Sequence, residues 1–363
     1  MNVWQEYTLG SLLLPSRFIR TAAGEGMCDD EGGVTARIIE YYRRISLGGV
    51  LGAIITGHSF VSLEGRMRPG QMGISDNFHI PGLRRIAQAI RTTGTRAMIQ
   101  LSHGGIMCPT APAGPSHCAD HPTARVMSHD EIQKVVHQFA HAADRACEAG
   151  FDGVEIHAAH GYLLSQFLSP FYNHRNDEYG GCPENRVRIL REIIAAIRRV
   201  CGKHFTVGVK INSIELIPGG ITLEQAVRQL LELRQEKPDF VEVSGGICTH
   251  PSPICSPMQR ILGEHCYFGD NARIIKKNTN IPVLMVGGIR TKETAENIIE
   301  NGWADLVGLC RPLVCEPDLV LRWKQGEKKN SVCRSCNCCV AASRTISGLH
   351  CVIKKQEQNT FFG

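Results

Sequence analysis

Three side chains that can donate or accept protons, His157, His160 and Tyr162, stand within six positions of one another. They follow the short, mostly apolar run Val154–Ile156, which is typical of a buried strand. An imidazole N–H can donate a hydrogen bond to an oxygen on which negative charge develops. A phenol with an ordinary pKa of about 10 is protonated at neutral pH and can deliver that proton. The pattern therefore predicts acid–base chemistry at the end of a buried strand.

Each of these residues has a structural alternative, as a hydrogen-bonded histidine or a packed tyrosine, and for any one alone that alternative is preferred. Their occurrence together on one loop favours a functional cluster. A zinc site built on His157 and His160 is a further alternative, but no carboxylate or third histidine stands at an obvious ligand spacing. His250, in the stretch 245–250, is an additional candidate for the same cluster.

Two junctions late in the chain have the composition of a phosphate site. Gly287 and Gly288 follow an apolar run, and Cys310 and Arg311 follow the next one. Paired glycines let the backbone approach a ligand closely, and amides at a strand–helix junction donate hydrogen bonds to phosphate. A plain tight turn with a surface arginine is the alternative. The occurrence of two such junctions in succession favours phosphate binding.

Two polar side chains occur within or at the end of apolar runs. Lys210 lies inside the run 207–212, and Gln100 ends the run 95–100. A buried lysine is unfavourable unless it meets an anion. For Lys210 that anion is either a ligand or a carboxylate such as Glu242, and the residues alone leave both readings open. Gln100 likewise needs a polar partner at the end of its strand.

The elements that must position these residues form eight successive pairs of an apolar run and an amphipathic helical segment, between Phe18 and Trp323. Apolar rather than alternating strands are typical of buried parallel strands. Eight such units predict an α/β fold, a (β/α)8 TIM barrel, with a hairpin at Tyr7–Leu14 capping one end. An open, doubly wound sheet is the alternative, but no G-x-G-x-x-G turn follows the first strand.

Four connections are long, polar and rich in glycine and proline, at 57–78, 102–129, 158–183 and 245–270. Connections of about 20 residues within a compact domain are usually functional. In a TIM barrel the connections that follow strands gather at the carboxyl-terminal face. We therefore expect these four segments to form the roof of an active site that contains the residues named above.

Composition excludes several classes of function. The chain has 363 residues, of which 43% are hydrophobic and 21% charged, with a net charge of +5 that is not gathered into a basic block. These values are typical of a globular enzyme and argue against a nucleic-acid partner. No run reaches the ~18–20 apolar residues of a transmembrane helix, and the start lacks a signal-peptide core. We expect a cytoplasmic protein with no membrane association.

Five of the 16 cysteines crowd the end of the chain. Cys333, Cys336, Cys339 and Cys351 give the spacing C-x2-C-x2-C-x11-C, with Cys338 as a spare thiol. Thiolate quartets at such spacings hold zinc or an iron–sulfur cluster, and free thiols are the third alternative. We therefore predict two regions, a barrel domain at 1–325 and a cysteine-rich extension at 326–363.

The segment from Gly150 to Arg186, with its HAAHGY sequence, resembles the signature of the Old Yellow Enzyme family of FMN-dependent ene-reductases. The segment starting at Gln100, QLSHGG, resembles a second family motif, although Ile106 stands where the family commonly has Arg. The resemblance implies that His157 and His160 bind the substrate oxygen and Tyr162 protonates carbon. It also implies a set of residues that contact FMN along its length, from the ring to the phosphate: Ala23, Gly57, Gln100, Lys210, Gly287, Gly288, Cys310 and Arg311.

The cysteine-rich tail is similar to that of the 2,4-dienoyl-CoA reductase and trimethylamine dehydrogenase branch, in which four cysteines hold a [4Fe–4S] cluster. Here one gap is a residue shorter, which leaves Cys338 and Cys339 as competing ligands, and the FAD and NAD(P) domains of that branch do not follow. The resemblance thus implies FMN, a [4Fe–4S] cluster or zinc, and NAD(P)H as electron donor.

The implied activity is reduction of an activated C=C bond in a small unsaturated substrate by hydride transfer from flavin N5. The alternatives are an oxidative amine demethylase, a flavin and iron–sulfur electron-transfer subunit, and a zinc-stabilised barrel lyase without flavin. A separate reductase or electron carrier as partner, and assembly into a homo-oligomer, also stay open.

Overall fold

A computed structural model describes residues 1–247 and 265–354, and its centre is a closed barrel of eight parallel strands. The strands are buried along their whole length or nearly so, because helices cover the outside and side chains fill the inside. The predicted TIM barrel is therefore confirmed. In chain order the barrel strands are Phe18–Arg20, Ala53–Phe60, Arg96–Ser102, Gly153–Ala158, Thr206–Asn212, Phe240–Ser244, Val283–Met285 and Leu306–Leu309.

Helices follow the strands as the amphipathic pattern predicts. The longest begins at a capping box, in which the Ser128 hydroxyl accepts a hydrogen bond from the Glu131 amide and the Glu131 carboxylate accepts one from the Ser128 amide. In the described residues the helices that cover the barrel are Ala36–Ser46, Ile80–Arg91, His129–Glu148, Arg188–Cys201, Leu223–Leu233, Gly269–Thr279, Lys292–Glu300 and Leu319–Lys324.

The predicted hairpin is present and closes the amino-terminal end of the barrel. Strands Tyr7–Leu9 and Leu12–Leu14 pair antiparallel, and Gly10 at the turn has a φ of +59°. Leu9 and Leu14 are buried in one cluster with residues that the barrel strands point inward: Ile19, Ala53, Ile55, Met98, Phe240, Leu284 and Leu306. This apolar plug leaves only the carboxyl-terminal end of the barrel open for a site.

Three of the predicted connections contain regular structure. The segment 57–78 contains the 3-10 helix Leu63–Gly65, and the segment 102–129 contains the two-residue strands Ala113–Gly114 and Arg125–Val126. Residues 163–168 of the expected loop 158–183 form a buried helix, Leu163–Leu168. This helix is short and wholly buried, so no polar face marks its period in the sequence. His250 and most of the predicted connection 245–270 lie outside the described residues.

The cysteine-rich tail folds back over the barrel. It contains the short helix Cys338–Ala342, and the Leu349 amide donates a hydrogen bond to the Glu25 carbonyl oxygen at 2.7 Å. Gly26, with a φ of +63°, lets the tail approach so closely that a Cβ there would lie 1.9 Å from the Ser343 carbonyl oxygen. Within the described ranges, none of the helices has the length and apolar character needed to cross a membrane.

Candidate active site

The carboxyl-terminal end of the barrel opens into a cavity of about 720 Å³. A second cavity of about 220 Å³ adjoins it and shares Ala22, His160 and Lys210 with it. The larger cavity is lined by six of the predicted site residues, namely Ala23, Gln100, His157, His160, Tyr162 and Lys210. The smaller one is lined by the predicted phosphate-binding residues Gly287, Gly288, Cys310 and Arg311. Residues that are far apart in the sequence therefore line one continuous trough.

The two histidines are held in different ways. His157 lies within the fourth barrel strand opposite Lys210, and the Ala159 amide donates to its Nδ1 at 3.3 Å, which assigns the ring proton to Nε2. His160 follows the strand with a φ of +65°, and Asn212 Oδ1 accepts a hydrogen bond from its amide at 3.1 Å. Its Nε2 lies 2.8 Å from the Ser244 hydroxyl. The ring centres of the two histidines are 5.1 Å apart.

Both imidazoles are neutral at physiological pH. Burial lowers the pKa of His157 and that of His160 well below the usual value, and the positive charge of Lys210 lowers both further. A neutral imidazole carries one N–H donor and one acceptor nitrogen. The pair can therefore hold a neutral or partly negative oxygen without a change in its own protonation.

Tyr162 precedes the helix Leu163–Leu168, and its ring centre lies 5.0 Å from that of His157. Burial raises the pKa of Tyr162 above its usual value, against the opposing positive charges of Arg68, Arg344 and Lys210. The phenol is therefore protonated at neutral pH, and a proton donor stands beside the two hydrogen-bonding imidazoles.

The floor of the cavity is a charged network inside the barrel. Lys210 and Glu242 face each other on neighbouring strands, and their Nζ and Oε1 atoms are 2.6 Å apart. Gln100 Nε2 donates to Glu155 Oε2 at 2.5 Å. Burial and then the Glu242 carboxylate raise the pKa of Glu155 well above its usual range, although Lys210 opposes them. Lys210 is therefore compatible with both predicted partners: it forms the internal salt bridge with Glu242, and it also lines the cavity that could hold a ligand.

The smaller cavity has glycines where the backbone needs them. Gly287 and Gly288 have φ values of +99° and +71°, which side chains rarely adopt, and a Cβ on Gly287 would lie 2.3 Å from Tyr267 Cε2. The Arg311 guanidinium donates to the Tyr267 hydroxyl at 2.9 Å and to Asn337 Oδ1 at 2.8 Å. The arginine therefore joins the smaller cavity to the tail.

Gly57 is the one predicted flavin contact that lies away from both cavities. Its amide donates to Glu25 Oε1 at 2.8 Å, and Tyr42 donates to the same carboxylate oxygen. Arg20 is fully buried and pairs with this carboxylate at 3.4 Å. The structure therefore places Gly57 in a buried charged network behind the cavity wall.

The tail cysteines surround a third cavity of about 370 Å³, which shares Arg311 and Asn337 with the smaller cavity. It is lined by all four predicted ligands, Cys333, Cys336, Cys339 and Cys351, and by the spare Cys338. Among residues 1–247 and 265–354, no three His, Cys, Asp or Glu side chains converge closely enough to hold a single metal ion. A zinc ion would need four ligands about 2.0–2.3 Å from one point.

Several residues of the trough were not predicted. His58, Arg68 and Arg344 line the larger cavity, and Ser244 and Tyr267 line the smaller one. Ser244 ends a predicted strand, so the sequence already indicated that it lies at the carboxyl-terminal face of the barrel. Arg68 and Arg344 carried no signal, because they lie in irregular segments whose positions depend on the fold.

The sequence that builds this site matches a known family. A model described as NADH:flavin oxidoreductase / NADH oxidase matches residues 3–330. The chain belongs to this family. The resemblance to Old Yellow Enzyme that the HAAHGY and QLSHGG segments indicated is therefore confirmed.

Relatives and solved structures agree with that assignment. An NADH oxidase of Thermoanaerobacter brockii is 32% identical over 96% of this chain and 54% of its own length. An NADPH dehydrogenase of Clostridium acetobutylicum is also 32% identical, over 88% of this chain and 94% of its own length. A 2-naphthoyl-CoA reductase complex superposes with a TM-score of 0.90 at 27% identity, covering 97% of this chain and 56% of that one.

An old yellow enzyme homologue from Zymomonas mobilis gives a TM-score of 0.77 at 25% identity, over 92% of this chain and 96% of that one. The chain spans a little over half the length of the NADH oxidase and of the 2-naphthoyl-CoA reductase.

The residues present fit the flavin that the family description implies. Lys210 supplies a cation and Gln100 an amide in the larger cavity, and Arg311 with the glycine pair supplies anion-binding groups at the far end. This order of donors suits a ring system at one end and a phosphate at the other. Six thiols line the tail cavity, those of the five tail cysteines and of Cys315. Such a donor set suits an iron–sulfur cluster, in which each of four cysteines binds a different iron and the sulfurs stand farther apart than around one ion.

Proposed function

We propose that the chain reduces an activated C=C bond, in an α,β-unsaturated carbonyl compound or a related conjugated substrate, with FMN as cofactor and NAD(P)H as electron donor. The observation that carries the proposal is the position of Tyr162 beside His157 and His160, in the cavity that Gln100 and Lys210 also line. The neighbour named 2-naphthoyl-CoA reductase supports including conjugated thioesters among the substrates.

Bound FMN would supply the hydride. His157 and His160 would donate hydrogen bonds to the carbonyl oxygen of the substrate and so stabilise the negative charge that builds there as hydride reaches the β-carbon. Tyr162 would then transfer its phenolic proton to the α-carbon and recover a proton from solvent. Lys210, held by Glu242, would place a fixed positive charge beside the flavin ring. The rest of the cofactor would be held by Ala23, Gly287, Gly288, Cys310 and Arg311. Gly57 would contribute from behind the cavity wall, where its amide binds Glu25.

The test is the variant Tyr162→Phe, which keeps the ring and removes the proton. Flavin reduction by NAD(P)H, followed by the loss of flavin absorbance in anaerobic stopped flow, should proceed at the wild-type rate. Reoxidation by cyclohexenone should slow by about 10²–10⁴-fold, the range over which a positioned acid contributes. An unchanged reoxidation rate would remove Tyr162 from the mechanism. Oxidation of an amine, with no turnover of enones, would instead favour an amine demethylase.

We also propose that Cys333, Cys336, Cys339 and Cys351 hold a [4Fe–4S] cluster, with 1–325 as the flavin barrel and 326–363 as the cluster region. The support is the common cavity of these thiols and its junction with the flavin trough at Arg311. Protein purified without oxygen should contain about four irons per chain, as a four-cysteine cubane requires. A stoichiometric content of zinc without iron would contradict the cluster and leave the flavin proposal intact.

A further inference from the structure

Two arginines line the larger cavity together with the proposed proton donor. Arg68 lies in the connection after the second barrel strand, and Arg344 follows the short helix of the tail. Both line the cavity together with Tyr162, although they are separated by 276 positions in the chain. A charged group from the barrel and one from the tail thus reach the same space.

Neither guanidinium forms an ion pair with a carboxylate in the described parts of the chain. Arg68 is partly buried and Arg344 is exposed. Arg68 Nη1 donates to the Ser343 hydroxyl at 3.3 Å, and its buried Nε has no acceptor. Glu25 attracts Arg68 without an ion-pair contact, and no ion pair with a carboxylate involves Arg68 or Arg344 within residues 1–247 and 265–354.

The two positive charges also act on each other. Burial lowers the pKa of Arg68, and the charge of Arg344 is among the further causes. Like charges that share a cavity destabilise one another, and an anion between them would remove that repulsion and gain charge-assisted hydrogen bonds. The cavity is therefore electrostatically suited to a substrate with a negative charge on this side.

We propose that Arg68 and Arg344 form an anion subsite that selects unsaturated substrates carrying a negatively charged group, such as a carboxylate, apart from the carbonyl that is activated. The inference rests on the proposed function, because it concerns the substrate that Tyr162 protonates. In this arrangement His157 and His160 bind the activating oxygen, and the arginine pair binds the remote charge. Arg344 belongs to the tail, so the tail takes part in choosing the substrate.

The phosphates of the nicotinamide donor are another source of negative charge in such a cavity. They would make the arginine pair important for flavin reduction, whereas an anionic substrate makes it important for flavin reoxidation. We assign the pair to the oxidising substrate, because both arginines line the cavity with Tyr162 and their charges act on it, and the proton of Tyr162 is used only in that half of the cycle. The two sources are therefore separated by measuring the two half-reactions independently.

The test uses two probes that differ at one group, para-carboxybenzylideneacetone, which carries a negative charge, and its uncharged methyl ester. Their reduction is followed with FMN-loaded protein by anaerobic stopped flow, for the wild type and for Arg344→Gln, Arg344→Lys and Arg85→Gln. Arg85 is an exposed arginine of the helix Ile80–Arg91 outside the cavity and serves as the matched control. Because both probes use the same proton donor, the ratio of their rate constants cancels any effect of Arg344 on Tyr162.

We expect the wild type and Arg85→Gln to prefer the carboxylate by about tenfold in kcat/KM, the scale of one hydrogen bond to a charged group. Arg344→Gln should lose most of that preference, Arg344→Lys should keep part of it, and reduction by NADH or NADPH should be unchanged. An equal preference in wild type and Arg344→Gln would overturn the subsite, as would an effect confined to reduction by the nicotinamide. Reduction of the ester by every variant shows that the proposed function survives such a result, whereas no reduction of either probe by the wild type would contradict both.

Discussion

Replacing Lys210 by Met tests the charged floor of the barrel directly. Lys210 and Glu242 are 2.6 Å apart, and the exposed fractions of their side chains are 7% and 0%. Met has a similar length but no charge, so the variant leaves Glu242 and Glu155 in the barrel without a cation. Removing one partner of a buried ion pair typically destabilises a protein by about 3–5 kcal/mol. We expect a loss in that range for flavin-free protein.

The matched variant is Lys210→Met combined with Glu242→Gln, which removes both charges of the pair. Glu155 is then the carboxyl that is left, and burial already raises its pKa and favours its neutral form. The double variant should therefore recover at least about 2 kcal/mol of the loss, as strongly coupled neighbours do. Urea unfolding, monitored by tryptophan fluorescence and circular dichroism, gives these free energies when the two signals change together.

The loss should also depend on pH in a defined direction. In Lys210→Met the folded-state pKa of Glu155, which burial already raises above the unfolded value of about 4.3, is raised further because the opposing charge of Lys210 is removed. Stability is therefore lost as pH rises above about 4.3, and the deficit of the variant should shrink as pH is lowered from 7. A single variant that loses less than about 1 kcal/mol, or a double variant as unstable as the single one, would refute the argument that the pair stabilises the floor.

Three further predictions concern the tail and a buried histidine. Gly26→Ala should detach the tail, since its Cβ would meet a tail carbonyl oxygen at 1.9 Å. The readout is faster limited proteolysis of residues 336–349. The control is Gly302→Ala, at a glycine with a φ of +67° and no neighbour within 4 Å, which should leave the rate of proteolysis unchanged. Burial lowers the pKa of His103 to about 4. The stability that its neutral form provides is therefore complete above about pH 6.5 and declines as pH falls to about 4. In the variant His103→Gln, the unfolding free energy should fall less over this pH range than in the wild type, by up to roughly 3 kcal/mol. Cys338→Ser should keep the iron content of anaerobic protein, because Cys338 is the spare thiol beside the proposed quartet, whereas Cys339→Ser should lose it; the opposite result would exchange the two ligands.

The alternation of apolar runs and amphipathic segments was enough to predict the barrel. A buried parallel strand must be apolar on both faces and its covering helix on one, so the local pattern reports the fold. The pattern was less informative where a helix is wholly buried, as at Leu163–Leu168, because no polar face marks its period.

The catalytic candidates were also readable from the chain itself. His157, His160 and Tyr162 are neighbours in sequence, and Gln100 and Lys210 lie in the later part of strands whose carboxyl termini must share one face. Their convergence follows from the fold class alone. Which partner Lys210 would take was not readable, because a ligand and Glu242 satisfy the same buried charge.

The sequence by itself therefore determined the barrel, its capping hairpin and the inner wall of the site, since these depend on local periodicity and on strand ends. Only the tertiary structure decided that Gly57 binds Glu25, that Arg311 joins the trough to the cysteine cavity, and that Arg68 and Arg344 line one cavity with Tyr162. Those contacts join segments that are distant in the chain. No local spacing encodes them, because they depend on how the connections and the tail pack on the finished barrel.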